Sequence, residues 1–294
     1  MKYFDKIKRR LKTKGMPKVY YFNLDCDTER KQFMESQFHK YGIAYERVSQ
    51  SKYTEKNIKD WALKFEDSDR ILQMNYDYRG SFVYPANFLN HLKLMKSWLL
   101  ETSEDYLMVM EDDYDISLID YWHFNWQYLI DNLPVDWEAF KLNDDHPDLI
   151  KFFIHPVDKT SFASFGSTIF KRSFVSKLVE TYYSSGKIKA AKNRSMKNFR
   201  VENSINDSFN VDVVFTMFGS VYTAPLITTE ASLCAEPGEP LKKNSSKDVF
   251  APIQRACHQW WRNERDMFTV DDFFYYNKPN DDQMTLRINL TQQH

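Results

Sequence analysis

Tyr106-Leu107-Met108-Val109-Met110 runs directly into Glu111-Asp112-Asp113. The five apolar residues suffice for a buried strand. Three consecutive carboxylates at its end serve no core. They put about three negative charges where a sheet meets solvent, and like charges that close raise one another's pKa unless a cation shares the site. A hard divalent cation with oxygen ligands, itself holding a phosphorylated substrate, is the economical reason for such a cluster. Ligands of open α/β sheets bind outside the carboxyl ends of strands. Strand and tip together therefore point to a metal–phosphate site. A solvated acidic turn is the bland alternative, and the motif alone does not separate the two.

Outward from this strand, apolar segments alternate in period. Val19 to Leu24 reads as a strand, and Asp27 can cap a following helix that carries Met34, Phe38 and Tyr41 at helical spacing. Gly42 stops that helix, and Ile43 to Val48 reads as a second strand. Residues 54–66 are expected to be helical, with Ile58, Trp61, Ala62 and Phe65 on one face. Pro85 is expected to open a longer helix bearing Leu89, Leu92, Met95 and Leu99. Further on, Trp122, Trp126 and Leu129 line an expected helix, Trp137 to Leu142 a strand, residues 173–183 a helix, Asn210 to Phe218 a short helix, and Val221 to Thr228 a last strand. This order predicts an α/β fold with a mostly parallel, Rossmann-like sheet flanked by helices.

Length and composition fit one large domain with an appendage: 294 residues, 43% apolar, formal net charge −1. The balanced charge gives no indication of a nucleic-acid partner. Seven Lys and Arg nevertheless fall between residues 2 and 14. Residues 1–17 read as a basic leader without the apolar run and cleavage site of a signal peptide. A solvated leader is one reading of it, and peripheral contact with an anionic membrane through residues 1–16 is another. No segment approaches the ~18 apolar residues of a transmembrane span. Cys26, Cys234 and Cys257 are odd in number and widely spaced, which argues against a disulfide framework and for a reducing, cytoplasmic setting. After residue 234 the chain changes character, with Pro237, Gly238 and Pro240 in a polar run before Trp260-Trp261. The expected division is residues 1–17, 18–234 and a C-terminal extension, 235–294, packed on the domain.

Several segments, in order, carry a family resemblance. The opening VYYFNLDCDTERKQFMESQFHKYGIAYERV resembles the start of the glycosyltransferases that build lipopolysaccharide and modify procollagen with galactose. Asn90-His91-Leu92-Lys93 resembles that family's Ser-His-Leu helix, YLMVMEDD its metal motif, and VDWEAFKL the strand after it. FGSTIFKRSFVSKLV resembles a small-residue segment leading into a helix, and NVDVVFTMFG followed by VYTAPLITTE resembles its acidic helix start and final strand. The matched stretch runs over about residues 18–232. It departs from the family at SFVYPANFLN, at Asn90, and in the whole tail.

The resemblance implies a GT-A fold and a metal-dependent, inverting transfer of a hexose such as galactose or glucose. The donor would be a nucleotide diphosphate sugar, most simply a UDP-sugar, and the acceptor a glycan, lipid-linked or protein hydroxyl. Mn²⁺ or Mg²⁺ would be held by Glu111 and Asp113, with His258 as a further candidate ligand from the tail. Asp112 would face the ribose or support the ligands. Asn23, Leu24 and Asp25 would lie near the base or ribose, Arg30 near the phosphates, and His91 near the donor. Asp212, in VDVVF, would be the general base; without the family it reads as a plain helix-start acid. Trp260, Trp261, Tyr275 and Tyr276 are aromatic enough to stack on a sugar acceptor, or simply to fill a core. Two other readings stay open. A nucleotidyltransferase would normally carry a Gly-rich loop after the first strand, and no Gly follows Leu24 before Gly42. A non-catalytic nucleotide- or glycan-binding protein of the same fold would bind without turnover.

Overall fold

The computed structural model describes residues 2–50, 64, 83–144, 149–157, 165–184, 187–188, 211–233, 246–274 and 284–287. The helix expected at 54–66, and Tyr275 and Tyr276, lie outside these residues.

The chain opens with helix α1 (Lys2–Thr13), then strand β1 (Val19–Leu24), helix α2 (Thr28–Tyr41) and strand β2 (Tyr45–Gln50). Helix α2 is bounded as its sequence dictates. The Asp27 carboxylate accepts the Arg30 N–H at the N-terminus, and Gly42 closes the helix at φ 69°. Helix α3 (Val83–Glu101) leads into β3 (Tyr106–Met110), the strand that precedes the acidic triplet. Next come β4 (Tyr114–Asp115), a 3-10 turn over Ser117–Tyr121, α4 (Trp126–Asp131), β5 (Ala139–Lys141), β6 (Leu149–Lys151), β7 (His155–Pro156) and β8 (Ser167–Lys171). Helix α5 (Arg172–Tyr182), the short pair β9 (Tyr183–Ser184) and β10 (Lys187–Ile188), α6 (Val211–Phe218), β11 (Val221–Thr223) and β12 (Thr228–Thr229) follow. The tail supplies α7 (Ser246–Asn263), α8 (Val270–Phe274) and β13 (Thr285–Arg287).

One seven-stranded sheet organises the molecule, in the order β2-β1-β3-β8-β5-β11-β7. Strands β1, β2 and β3 are mutually parallel and β5 is parallel to β11, while β8 runs against both β3 and β5, and β7 against β11. Five strands thus share one direction and two oppose it. The chain leaves β1 for β2 on one side and returns to β3 on the other. That reversal opens a crevice at the carboxyl ends of β1 and β3, the usual ligand position in such sheets.

Alternation along the strands splits the core into two layers. Leu107 and Val109 of β3 face the layer formed with α3, α5 and α6, whereas Met108 and Met110 face the layer formed with α2, α4 and the tail. A sheet covered on both faces needs near-continuous apolar strands, which is why Tyr106–Met110 carries no polar residue. The tail joins this core. Trp260 and Trp261 are both buried; Trp260 stacks on Phe152 with ring centroids 4.1 Å apart, and the Trp261 indole donates to the Pro225 carbonyl at 2.7 Å. The reading of these tryptophans as an acceptor platform is therefore corrected, because sugar stacking needs an open ring face.

Three further expectations change. The stretch expected as a solvated leader contains the docked helix α1. Arg9 grips Asp120 through two hydrogen bonds, Lys12 donates to the carbonyls of Ile119 and Asp120, and the Thr13 hydroxyl donates to Tyr41 O at 2.9 Å. The helix expected through Trp122 begins only at Trp126, because Asn125 caps it there and the preceding turn is 3-10. The strand expected over Val221 to Thr228 breaks into β11 and β12 around Pro225, which has no N–H to donate to a ladder.

Candidate functional site

The crevice between β1 and β3 collects most of the residues singled out from sequence. At the end of β1, Asn23 is 2% exposed and uses both ends of its amide. Its NH₂ donates to Asp112 Oδ2 at 2.6 Å and to the Asp27 carbonyl, while its oxygen accepts from Arg47 Nε at 2.8 Å. That network fixes the amide orientation. The Leu24 carbonyl accepts the Asp27 N–H, closing the tight turn into α2. Asp25 is exposed beyond it and is held by the Ser49 hydroxyl and by Arg47 Nη2 at 2.6 Å; these hydrogen bonds keep its carboxyl below the usual range.

Arg30, on the first turn of α2, reaches back over the crevice. It donates to Asp112 Oδ1 at 3.0 Å and to the Leu233 carbonyl, and forms an ion pair with Asp27. Asp112 is thereby pinned by Asn23 on one side and Arg30 on the other.

Glu111 and Asp113 are treated differently. Burial, then the proximity of Asp113 and Asp212, pushes the Glu111 carboxyl up to about 8, against a hydrogen bond from the Asn87 amide at 3.2 Å. Burial also raises Asp113, to about 6, although Arg30 pulls it down. The backbone wedges the triplet in place. Glu111 N–H donates to Gly166 O and Glu230 N–H to Asp113 O, both at 2.6 Å. Gly166 leaves the space for Glu111. A Cβ there would lie 2.8 Å from Glu111 Oε2 and 2.5 Å from the Tyr114 hydroxyl oxygen.

Asp212 lies close enough to Glu111 to raise its carboxyl. It sits in the first turn of α6 and accepts the Phe165 N–H at 2.6 Å. Burial raises its carboxyl; the Phe165 hydrogen bond and the nearby Lys141 ammonium act against that rise. Lys141 was not singled out from sequence. It ends β5, is fully buried, and places Nζ 5.5 Å from the centre of the Phe165 ring. A lysine inside an apolar strand is a signal that sequence does hold, since burying a charge is costly without partners. Arg47 and Asn87 were also missed, and nothing local marks them.

Two expected site residues are not brought in. His91 is 1% exposed, packed against Phe22 and Phe215, and donates from Nδ1 to Asn87 O; burial lowers its pKa to about 4. It supports Asn87 from behind and presents no surface to a donor. His258 lies on α7 with Nε2 3.0 Å from Asp115 Oδ2. Burial alone would raise Asp115, but the hydrogen bonds from His258 and Ser117 hold it below the usual range. His258 is thus engaged by Asp115, and no contact with Glu111 or Asp113 is seen among the described residues.

Among the described residues, no group of three or more His, Cys, Asp or Glu is arranged as a metal cage. Mg²⁺-type sites do not need one. They commonly use one or two carboxylates, with water and substrate phosphates completing the shell. Glu111 and Asp113 fit that donor chemistry, being hard oxygens, with Asp113 close enough to raise the Glu111 carboxyl.

No protein-family model and no curated protein matches the chain. Among solved structures, A197 from STIV matches with a TM-score of 0.40 and 10% identity over 72% of this chain and 84% of that one, too little to bear on fold or function.

Proposed function

We propose that the chain is a metal-dependent, inverting glycosyltransferase of GT-A type, moving a hexose from a nucleotide diphosphate sugar to a hydroxyl of a glycan, lipid-linked or protein acceptor. The observation that carries the reading is the pair Glu111 and Asp113 at the carboxyl end of β3, both raised by burial, with Asp212 close enough to Glu111 to raise it further and with Arg30 beside them on Asp112. The ordered resemblance to the lipopolysaccharide and procollagen galactosyltransferases supports the same assignment.

Glu111 and Asp113 would hold a divalent cation, Mn²⁺ or Mg²⁺, whose charge would offset that growing on the departing diphosphate. Asn23 and Asp25 border the nucleoside at the end of β1. Arg30 lies on the first turn of α2, where the helix dipole also favours anions. Asp212 accepts the proton of the acceptor hydroxyl as its oxygen attacks the anomeric carbon and the bond to the diphosphate breaks. Its raised pKa suits a base, since a carboxylate of ordinary pKa is a weak proton acceptor.

A thermal-shift screen of nucleotide sugars with and without Mn²⁺ tests this. A ligand that binds only the native state at a hundred times its Kd stabilises by about 2.7 kcal/mol, a rise of several degrees. The expected result is a rise for one nucleotide diphosphate class that requires Mn²⁺ and is absent in Asp113→Ala. A nucleotide response indifferent to metal and unchanged in Asp113→Ala would defeat the reading.

A further inference from the structure

Helix α1 is amphipathic in the wrong sense for a helix docked on a protein. Surface helices normally turn their apolar stripe to the core and their charges to water. Here the polar side faces the body: Arg9 and Lys12 hold Asp120 and the Ile119 carbonyl, and Thr13 bonds Tyr41. The apolar side faces out. Phe4, Ile7 and Leu11 are 75%, 41% and 59% exposed, and their spacing puts them on one stripe of the helix. Lys8, Arg10 and Lys14 are exposed as well and flank that stripe.

We propose that this outward face of α1 docks on an anionic lipid surface. Leu and Phe immersed at the headgroup boundary with Lys and Arg beside them is the composition of an interfacial helix, whose binding scales with apolar area and anionic charge together. No described helix is long and apolar enough to cross a membrane, so the contact is peripheral. A second copy of the chain fits less well. Three side chains fall far short of the ~800 Å² per partner of a stable interface, and a symmetric contact would set the basic flanks against each other. The hydrogen bonds from Arg9, Lys12 and Thr13 fix the rotation of the helix, so the stripe is formed and aimed before any surface is met. This inference stands apart from the sugar-transfer chemistry, and either can fail without the other.

The test is co-sedimentation of the full chain with vesicles of phosphatidylcholine alone and of phosphatidylcholine mixed with phosphatidylserine. The expected result is binding to the mixed vesicles only, weakened by salt. Ile7→Gln with Leu11→Gln should reduce binding tenfold or more, and Lys8→Gln roughly fivefold, the worth of one basic residue at such a surface. Gln is a good helix former and the replaced side chains are exposed, so both variants should unfold at the parent temperature. No binding to either vesicle, equal binding to both, or full binding by the double variant would each overturn the proposal. A concentration-dependent dimer abolished by the double variant would overturn it in favour of a second copy.

Discussion

Two sets of carboxylates follow one another along the chain and meet opposite treatment. Asp115 and Asp120 are compensated, Asp115 by His258 and Ser117, Asp120 by Arg9 and Lys40, and both carboxyls sit below the usual range despite burial. Glu111 and Asp113, just before them, are raised by burial to about 8 and about 6, with Asp113 and Asp212 adding to the rise of Glu111. Partners outweigh burial at the first pair, and burial outweighs partners at the second.

The comparison breaks most sharply at Asp212. Asp212→Asn keeps the shape and the acceptor for Phe165 N–H but cannot take a proton. It should leave nucleotide binding intact and cut sugar transfer on the order of 10²-fold or more. Transfer at the parent rate would reduce Asp212 to a helix-start acid. Arg30→Met removes the cation that pins Asp112 and tempers Asp113, leaving a buried carboxylate short of a partner. A loss of about 2–3 kcal/mol in urea unfolding is expected, and an unchanged midpoint would show that the arginine supports nothing.

The two sets should also have opposite pH slopes. Glu111 and Asp113 have folded pKa values above those of an unfolded chain, so the folded state holds more protons between about pH 4 and 8. The metal-free protein should lose stability as pH rises through that window. Glu111→Gln should flatten the slope and raise the melting temperature at pH 8 by a few degrees, about 2–4 °C per kcal/mol in a chain of this size. A flat profile in the parent would mean the carboxylates do not repel. Asp115 and Asp120, with lowered values, contribute stability that is lost only in acid, as pH falls through their folded pKa. The smallest effect is at the compensated end. Asp120→Asn loosens a partly exposed ion pair with Arg9 and should cost about 0.5–1 kcal/mol at neutral pH, with α1 becoming more accessible to protease.

Much of the frame was legible because it is local. The β3 run and its acidic tip, the Asp27 cap and the Gly42 stop are each written within a few residues. Strand β8 was not legible. Ser167–Lys171 reads as a small-residue lead-in to a helix, and only pairing with β3 and β5 makes it a strand. The same limit applies in the site. The triplet and Asp212 stand out by type, and Lys141 by its place in an apolar strand, whereas Arg47 and Asn87 matter through neighbours distant in sequence. His91 shows the converse: a residue chemically suited to a ligand is removed from it by the depth at which α3 packs.

Gly166 has a consequence for how this sequence can change over time. The space its missing side chain leaves is shared by Glu111 and by the buried ring of Tyr114. Alanine, the smallest possible step, would have to displace a carboxylate or an immobile aromatic. Position 166 is thus coupled to 111 and 114, and drift at any one of them is permitted only by a matching change at the others. Giving up the glycine would therefore shift Glu111 or the Tyr114 ring.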